Sequence, residues 1–476
     1  MNTLYVNRYS FHDVKLEDRR VLFHIPSSGL FELDDVSAAL IEFLKDQECI
    51  SIDRIRKRFD GEFSSSDLSE TLQSFQDLSI IGETPAGPDI GMRAEIKEFP
   101  ISTVVLNVNT GCNLSCTYCY KEDLDVPTKG RKMDFETARK SIELLLEEGA
   151  SHDRLNVIFF GGEPLTNLPL IKQVVEYTER RCEEEGKSAD FSMTTNATML
   201  TEEIVDYLDS HRFGISISMD GPQAVHDRRR ITVSGQGTYA VVAAKSRMLL
   251  ERYRSKPVGV RVTLTAGYTD VVAIHEHLKY GLGFFEVGVA PATSGPVTVF
   301  NLSKEELRQV FDSMMELGRA YRDAALEGHN NGFSNMHQLM SDLYEGRKKA
   351  LPCGAGVGLL AVDHEGDLNL CHRFTGSDMP RFGNVDEGIA KETLGGFLEE
   401  ATNRADKSCS TCRIRNLCAG GCYHESYAHF GDPMSPTYHY CELMREWIDF
   451  GIEIYMEILK KNPNFFKKHL SARGVQ

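Results

Sequence analysis

Hydrophobic and polar positions fall into two rhythms along the chain. In the first 90 residues, short alternating runs (Val21-Leu22-Phe23-His24, then Leu30-Phe31-Glu32-Leu33) predict strands. A helix follows from Asp35 to about Asp46, with Val36, Ala39, Leu40, Phe43 and Leu44 on one face. Two more helical patterns cover Ile52–Phe59 and Ser66–Ile81, the second opening on serines suited to capping. Strands with three helices predict a small winged-helix unit over 1–90, and Glu83-Thr84-Pro85-Ala86-Gly87-Pro88 reads as its linker. From Ile101 apolar strands alternate with longer helices. Strands are expected at Thr103–Val108, Asn156–Phe160, Asp190–Thr195, Gly214–Met219, Gly259–Thr265 and Phe284–Ala290. Intervening helices such as Phe135–Glu148 and Leu168–Glu185 suit crossovers in a parallel sheet, so an α/β partial (β/α)6 barrel is predicted over 97–300. A helical connector (301–350), a cysteine-rich, loop-like region (351–445) and a C-terminal helix and tail (446–476) complete the expected organisation. The last begins inside an amphipathic run, about Glu442–Lys460.

A chain of 476 residues with 41% hydrophobic content is long enough for two to four well-buried domains. The formal charge of −17 argues against a general nucleic-acid or anionic-membrane binder, which needs clustered positive charge. The first residues lack a basic segment followed by an apolar run, and no stretch has the length needed to span a bilayer. A soluble, cytoplasmic protein is expected. Twelve cysteines then matter, because in a reducing compartment clustered cysteines ligate metal more often than they form disulfides. Ten fall into spaced groups; Cys49 and Cys182 stand apart in helical patterns and read as ordinary core or surface residues.

The first group is Cys112-Asn113-Leu114-Ser115-Cys116-Thr117-Tyr118-Cys119, directly after the first barrel strand. Cysteines at i, i+4 and i+7 can give three thiolates to an iron–sulfur cube that takes four ligands, leaving one iron open. A zinc site is the competing reading, but zinc wants a fourth protein ligand and His152 is remote in sequence. Strand-end loops are where β/α barrels place chemistry. Further strings follow later strands in order: Phe160-Gly161-Gly162-Glu163-Pro164, Thr195-Asn196-Ala197, Ser218-Met219-Asp220-Gly221-Pro222 and Arg230.

These residues together resemble the radical S-adenosylmethionine (SAM) superfamily, with its CxxxCxΦC signature. The resemblance implies a [4Fe–4S] cluster on Cys112, Cys116 and Cys119, and SAM contacts from Tyr118, Gly161, Gly162, Glu163, Pro164, Asn196, Ser218 and Arg230. Glu163 would meet the SAM ammonium, the Gly-Gly pair would let backbone approach the ligand, and Arg230 would hold the carboxylate. It implies reductive SAM cleavage to a 5′-deoxyadenosyl radical, which takes hydrogen from an unactivated C–H bond, with a flavodoxin or ferredoxin as electron donor.

The second group is Cys353, Cys371 (five positions after Gly366), Cys409, Cys412, Cys418, Cys422 and Cys441. A zinc ribbon would not use seven cysteines. Following such a barrel, the spacing resembles the SPASM domain, which implies two auxiliary [4Fe–4S] clusters and three in all. Cys409, Cys412, Cys418 and Cys441 would ligate the outer cluster, and Cys353, Cys371 and Cys422 the inner one. Anaerobic sulfatase maturases add a cysteine shortly after the first and an Asp after the GxxxxC cysteine. This chain has Gly354-Ala355-Gly356-Val357-Gly358 and His372 there, which puts formylglycine formation in doubt. His372 is a candidate base, and Asp220, His226, Asp227, His364, His424 and Glu425 are other possible proton acceptors.

Residues 1–90 hold nine Lys/Arg against seventeen Asp/Glu, which is unfavourable for phosphate contact. An iron–sulfur sensor acting on DNA would need a basic recognition helix, and Arg54-Ile55-Arg56-Lys57-Arg58 is its one candidate; a solvated helix face is the simpler reading. The unit instead resembles the recognition elements of ribosomal-peptide maturases, which bind an extended leader by strand addition. The run Arg19 to Asp34 is similar to the maturation proteins of quinohemoprotein amine dehydrogenase. That resemblance implies thioether bonds from Cys sulfur to methylene carbons of Asp or Glu in a small substrate, the γ subunit, with no nucleic-acid or membrane partner. Other SPASM chemistry, from Cys-to-Cα thioethers to carbon–carbon cross-links, stays open.

Overall fold

The computed structural model describes residues 3–16, 19–87, 99–119, 130–292, 298–402, 409–435 and 440–470. Pro88 of the expected linker, the first residues of the expected barrel segment and the last residues of the tail lie outside them.

The N-terminal unit opens with β1 (Thr3–Val6), β2 (Phe11–Lys15), β3 (Arg20–His24) and β4 (Gly29–Leu33), continues through α1 (Asp35–Leu44), β5 (Cys49–Ser51), α2 (Ile52–Arg58) and α3 (Ser65–Asp77), and ends in β6 (Ile81–Gly82). Asp34, Ser51 and Ser64 cap the three helices, their side chains accepting from Ser37 N, Arg54 N and Asp67 N, first-turn donors with no partner inside the helix. Two antiparallel three-stranded sheets form, β5-β1-β6 and β2-β3-β4. Cys49 therefore lies in a strand, not in the helical pattern expected of it, because pairing with Tyr5 extends the segment. Leu4, Leu22, Leu40, Ile41, Ile55 and Phe59 form this unit's core. The opposite face of β2 and β3 turns Val14, Val21, Phe23 and Ile25 into the core of the main body. Asn416 Nδ2 also donates to Ile25 O (2.6 Å) and Arg19 to Met456 O (3.1 Å), so the unit is anchored on the body.

The main body is built on β7 (Thr103–Asn109), α4 (Phe135–Glu148), β8 (Arg154–Gly161), α5 (Leu168–Glu184), β9 (Ser188–Thr195), α6 (Glu202–Ser210), β10 (Gly214–Ser218), the single turn α7 (Gln223–His226), α8 (Tyr239–Arg252), β11 (Gly259–Leu264), α9 (Val271–Glu276) and β12 (Glu286–Pro291). The six strands are parallel and neighbour one another in sequence order, the curved sheet of a partial barrel. Six of the seven residues of β7 are buried, the pattern of a strand covered on both faces. α10 (Lys304–Leu326) and α11 (Ser334–Tyr344) follow; a reciprocal Ser303–Glu306 capping box starts α10.

The sheet does not stop at six strands. β13 (Leu359–Val362) pairs in parallel with β7 and carries β14 (Leu368–Asn369) antiparallel on its outer side, giving the order β12-β11-β10-β9-β8-β7-β13-β14. The cysteine-rich region thus shares the barrel's sheet, and it holds more order than a loop: a β15 (Gly383–Asn384) and β16 (Gly388–Ile389) hairpin, α12 (Lys391–Thr402), α13 (Arg415–Cys418) and α14 (Tyr423–Phe430). α15 (Cys441–Lys461) packs along α10 and α11, and α16 (Asn464–His469) ends the described chain. No helix among the described residues is long and apolar enough to cross a membrane.

Candidate active site at the strand ends

The loop after β7 carries the first cysteine group. It is pinned by backbone bonds to the segment before α8: Ser115 N donates to Ile231 O (2.8 Å) and Thr117 N to Arg229 O (3.0 Å). Cys112, Cys116 and Cys119 are free thiols, and the neighbouring cysteines add to the burial that disfavours ionisation of Cys112 and Cys116. Burial pushes Cys112 up to about 12 and Cys116 to about 11, while the Arg230 guanidinium pulls Cys116 back. Asn196 Nδ2 reaches Cys112 Sγ (3.7 Å), and Arg230 reaches Cys116 Sγ (3.9 Å).

Phe160-Gly161-Gly162-Glu163-Pro164 closes β8, and its parts tie neighbouring strand ends together. A Cβ on Gly161 would sit 2.3 Å from Asn109 O, and one on Gly162 2.2 Å from Gly111 O. Gly161 also has φ +149°. The glycines are required because the loop after β7 lies on this backbone, so the close approach is between two strand ends. Glu163 is 1% exposed. Its carboxylate accepts from Thr195 Oγ1 (2.6 Å), Asn196 N (2.8 Å) and Leu165 N (3.2 Å), capping the turn that Pro164 opens. Burial outweighs these donors and lifts its pKa to about 6. Glu163 therefore fixes the end of β9 to the end of β8. Asn196, so held, directs its amide to Asn113 Oδ1 (2.9 Å) beside Cys112.

Ser218 ends β10, half-buried and opposite Arg261 of β11. Arg230 is 8% exposed, with Nε 3.1 Å from Asp220 Oδ2 and its guanidinium 5.5 Å from the centre of the Tyr118 ring. Tyr118 donates its hydroxyl to the same Asp220 oxygen (2.7 Å), and Thr263 N donates to the other (3.1 Å). Asp220 is the residue that composes this cluster. The sequence offers it only as a possible proton acceptor, because its partners come from three separate strand ends.

Two other candidate bases are occupied. His226 is fully buried; its Nδ1 accepts from Asp220 N (3.3 Å), and Nε2 meets Thr238 Oγ1 (3.0 Å), whose own proton goes to Arg230 O. The ring is thus the neutral Nε2–H tautomer, and burial drives its pKa to about 4. Asp227 accepts from Tyr239 N (2.7 Å) at the start of α8. Glu425 faces Arg373 at 3.6 Å, and His424 packs edge-on to Phe374.

His372 packs against Phe160 of β8, with ring centres 4.1 Å apart and planes inclined by 40°. Thr375 Oγ1 donates to His372 O (2.8 Å) and accepts from Asn107 Nδ2 (2.9 Å), tying the loop after Cys371 to β7. A cavity of about 110 Å³ adjoins this link and is lined in part by Asn107, His364 and Thr375. Asn107 Oδ1 is buried there without a hydrogen-bond partner among the described residues.

The remaining cysteines gather into two sets. Cys371 feels Cys422 and Cys353, and burial lifts it to about 11; Cys418 feels Cys412, Cys409 and Cys441, and rises likewise to about 11. Among the described residues no three His, Cys, Asp or Glu groups converge tightly enough for a single metal ion. Ten cysteines thus fall into three groups whose thiols influence one another's surroundings: Cys112–Cys119, the Cys353, Cys371 and Cys422 set, and the Cys409, Cys412, Cys418 and Cys441 set.

Comparison with known proteins agrees with this geometry. Residues 106–280 match the Radical SAM superfamily model. The cysteine-type anaerobic sulfatase-maturating enzyme of Clostridium perfringens is 23% identical, over 74% of this chain and 96% of its own length. The radical SAM cyclopropyl synthase TigE of Paramaledivibacter caminithermalis is 26% identical, over 94% of this chain and 93% of its own. Among solved structures, anSMEcpe with bound AdoMet superimposes with a TM-score of 0.64 over 76% of this chain and all of that one, at 19% identity. SuiB of Streptococcus suis bound to its precursor peptide SuiA gives 0.52, over 92% of this chain and 100% of that one, at 15% identity. The chain carries a radical SAM domain on a partial-barrel parallel sheet. Its similarity reaches beyond that domain, to sulfatase-maturating and other radical SAM enzymes along most of its length.

Proposed function

We propose that this chain is a SPASM-type radical SAM enzyme that modifies a peptide or small protein, and that its product is a thioether from Cys sulfur to a methylene carbon of Asp or Glu. The observation that carries the reading is the gathering of ten thiols into three groups, the first at the strand ends of a radical SAM domain. Cys112, Cys116 and Cys119 would hold the cluster beside SAM, Cys353, Cys371 and Cys422 the inner auxiliary cluster, and Cys409, Cys412, Cys418 and Cys441 the outer one. Bound there, the first cluster supplies the single electron that SAM cleavage needs, drawn from a donor such as flavodoxin or ferredoxin. Tyr118, Gly161, Gly162, Glu163, Pro164, Asn196, Ser218 and Arg230 shape the SAM site. Arg230, beside Asp220 through Nε and reaching Cys116 through Nη1, would meet the SAM carboxylate with its guanidinium. Glu163 and Asn196 set the loop geometry, and His372, held against Phe160, is the base we favour for taking a proton from the substrate.

A peptide substrate is supported by relatives named for acting on sulfatases and by the SuiB structure with precursor peptide SuiA. The likeness of Arg19–Asp34 to maturation proteins of quinohemoprotein amine dehydrogenase makes that enzyme's γ subunit the substrate we favour. The test is anaerobic incubation of the reconstituted enzyme with SAM, reductant and the small proteins encoded beside its gene, followed by mass spectrometry. Each linkage should remove two hydrogens and one alkylatable thiol from the peptide. A product that keeps every free thiol, or gains an aldehyde in place of a cysteine, overturns the thioether assignment.

A further inference from the structure

Three side chains beside the first cysteine loop close a hydrogen-bonded ring. Asn196 Nδ2 donates to Asn113 Oδ1 (2.9 Å), Asn113 Nδ2 to Thr198 Oγ1 (2.7 Å), and the Thr198 hydroxyl returns to Asn196 Oδ1 (2.7 Å). Each member both donates and accepts, so the direction of every bond is set by the other two. The ring ties Asn113, next to Cys112, to the segment that follows β9. The local backbone makes this closure possible. At Ala197 φ is +64°, in the left-handed region, and Thr198 N reaches back to Asn196 Oδ1 (3.0 Å) in an Asx turn.

Asn196 is 6% exposed, so water does little for its amide. A primary amide has two donor hydrogens and two acceptor sites. Here Oδ1 takes the Thr198 N–H and the Thr198 hydroxyl, while Nδ2 gives one hydrogen to Asn113 and turns the other towards Cys112 Sγ (3.7 Å). Its capacity is used up, and nothing remains for SAM. Turning the amide over would set Nδ2 against the Thr198 N–H and Oδ1 against the sulfur, so the orientation is fixed. Cys112 Sγ also accepts from Leu114 N (3.4 Å). As a cluster ligand this sulfur is a thiolate. N–H donors stabilise it, and more so once the cluster has gained an electron.

We propose that the Asn196 side chain acts on the Cys112 thiolate and not on SAM, and that Thr198 is the positioning residue that holds this N–H on the sulfur and so raises the first cluster's reduction potential. This rests on the assignment of that cluster to Cys112, Cys116 and Cys119. A higher potential makes the cluster easier for its electron donor to fill. A hydroxyl that touches neither iron nor SAM thereby governs how much of the enzyme is ready to react.

The test is a redox titration of the reconstituted holoenzyme followed by electron paramagnetic resonance. The first cluster's signal is the one missing when Cys112, Cys116 and Cys119 are all replaced by alanine. Thr198→Val keeps the shape of the side chain without its hydroxyl, and Thr198→Ser keeps the hydroxyl. We expect Thr198→Val to disfavour reduction of the first cluster by about threefold or more, a potential lower by about 28 mV at about 59 mV per tenfold for one electron. Asn196→Leu should move it further the same way, and Thr198→Ser should match the wild type, which separates the hydroxyl from packing. Equilibrium dialysis should give a SAM Kd within about twofold of wild type for all three. An unmoved potential in Thr198→Val, or SAM binding weakened about tenfold in Asn196→Leu at an unchanged potential, overturns the proposal while the cluster assignment stands. If the triple-alanine variant keeps every signal, the cluster assignment falls, and this inference with it.

Discussion

Replacing Arg230 with alanine separates a binding role from a structural one, because the structure gives both a size. The Arg230 and Asp220 side chains are 10% and 3% exposed, and Nε lies 3.1 Å from the carboxylate. Alanine leaves Asp220 buried with only the Tyr118 hydroxyl and Thr263 N–H as donors. Stranding one member of a buried pair costs about 3–5 kcal/mol. For a domain of 150–250 residues each kcal/mol lowers the melting temperature by about 2–4 °C, so a fall on the order of 10 °C is expected. SAM binding should weaken separately, by the roughly 1.5–3 kcal/mol of a charge-assisted hydrogen bond, which is about tenfold to a hundredfold in Kd. Adding Asp220→Asn removes the stranded charge, so the double variant should recover stability relative to the sum of the two singles, with a coupling of about 1–3 kcal/mol. Calorimetric melting and equilibrium dialysis of SAM read the two effects independently. Additive stability changes would refute the buried-pair reasoning, and an unchanged SAM Kd would refute the assignment of Arg230 to SAM.

Other outcomes follow from the same geometry. Because the folded pKa of Glu163 is raised from 4.5 to about 6, its contribution to stability is fully present below about pH 4.5 and is lost as pH rises through 6. That shift corresponds to about 2 kcal/mol, so Glu163→Gln should be more destabilising at pH 4.5 than at pH 7 by roughly that amount; equal denaturant-unfolding penalties at both pH values contradict the assignment. Gly162→Ala drives a methyl into Gly111 O and should cost about 1–3 kcal/mol while displacing the Cys112 loop, seen as lower stability and lower iron content. Substituting Cys112, Cys116 and Cys119 together with alanine should reduce iron from about 12 to about 8 per chain and abolish 5′-deoxyadenosine formation; a variant that still makes it sinks the cluster assignment.

Much of this was legible in local pattern. The strands that carry the site announce themselves as apolar runs, and the helix Phe135–Glu148 falls where its period puts it. Cys112–Cys119, Gly161–Glu163 and Asn196 each follow a strand, so the order of motifs could be read as the order of loops around one barrel end. What local pattern does not carry is long-range pairing. Leu359–Val362 is only four residues long and follows a glycine-rich run, so it reads as loop until β7 is seen beside it. The same limit hid the reason for Gly161 and Gly162, which is the backbone of residues 109–111, and the task of Asp220, whose partners lie at positions 118, 230 and 263. Deleting residues 1–90, which the sequence presents as separable, would remove Val14, Val21, Phe23 and Ile25 from the core they share with the main body.

The parallel pairing of β13 with β7 also orders events during synthesis. Thr103 to Leu106 emerge early, yet the strand that closes their free side starts at residue 359. At about 5–20 residues per second, on the order of 10–50 s pass between the two. Through that interval the strand leading into Cys112 has an open edge, a template for wrong pairing. The edge is sealed only once the region that carries the second group of cysteines has emerged. Truncations that stop short of residue 359 should accordingly yield aggregates rather than a smaller, SAM-cleaving barrel.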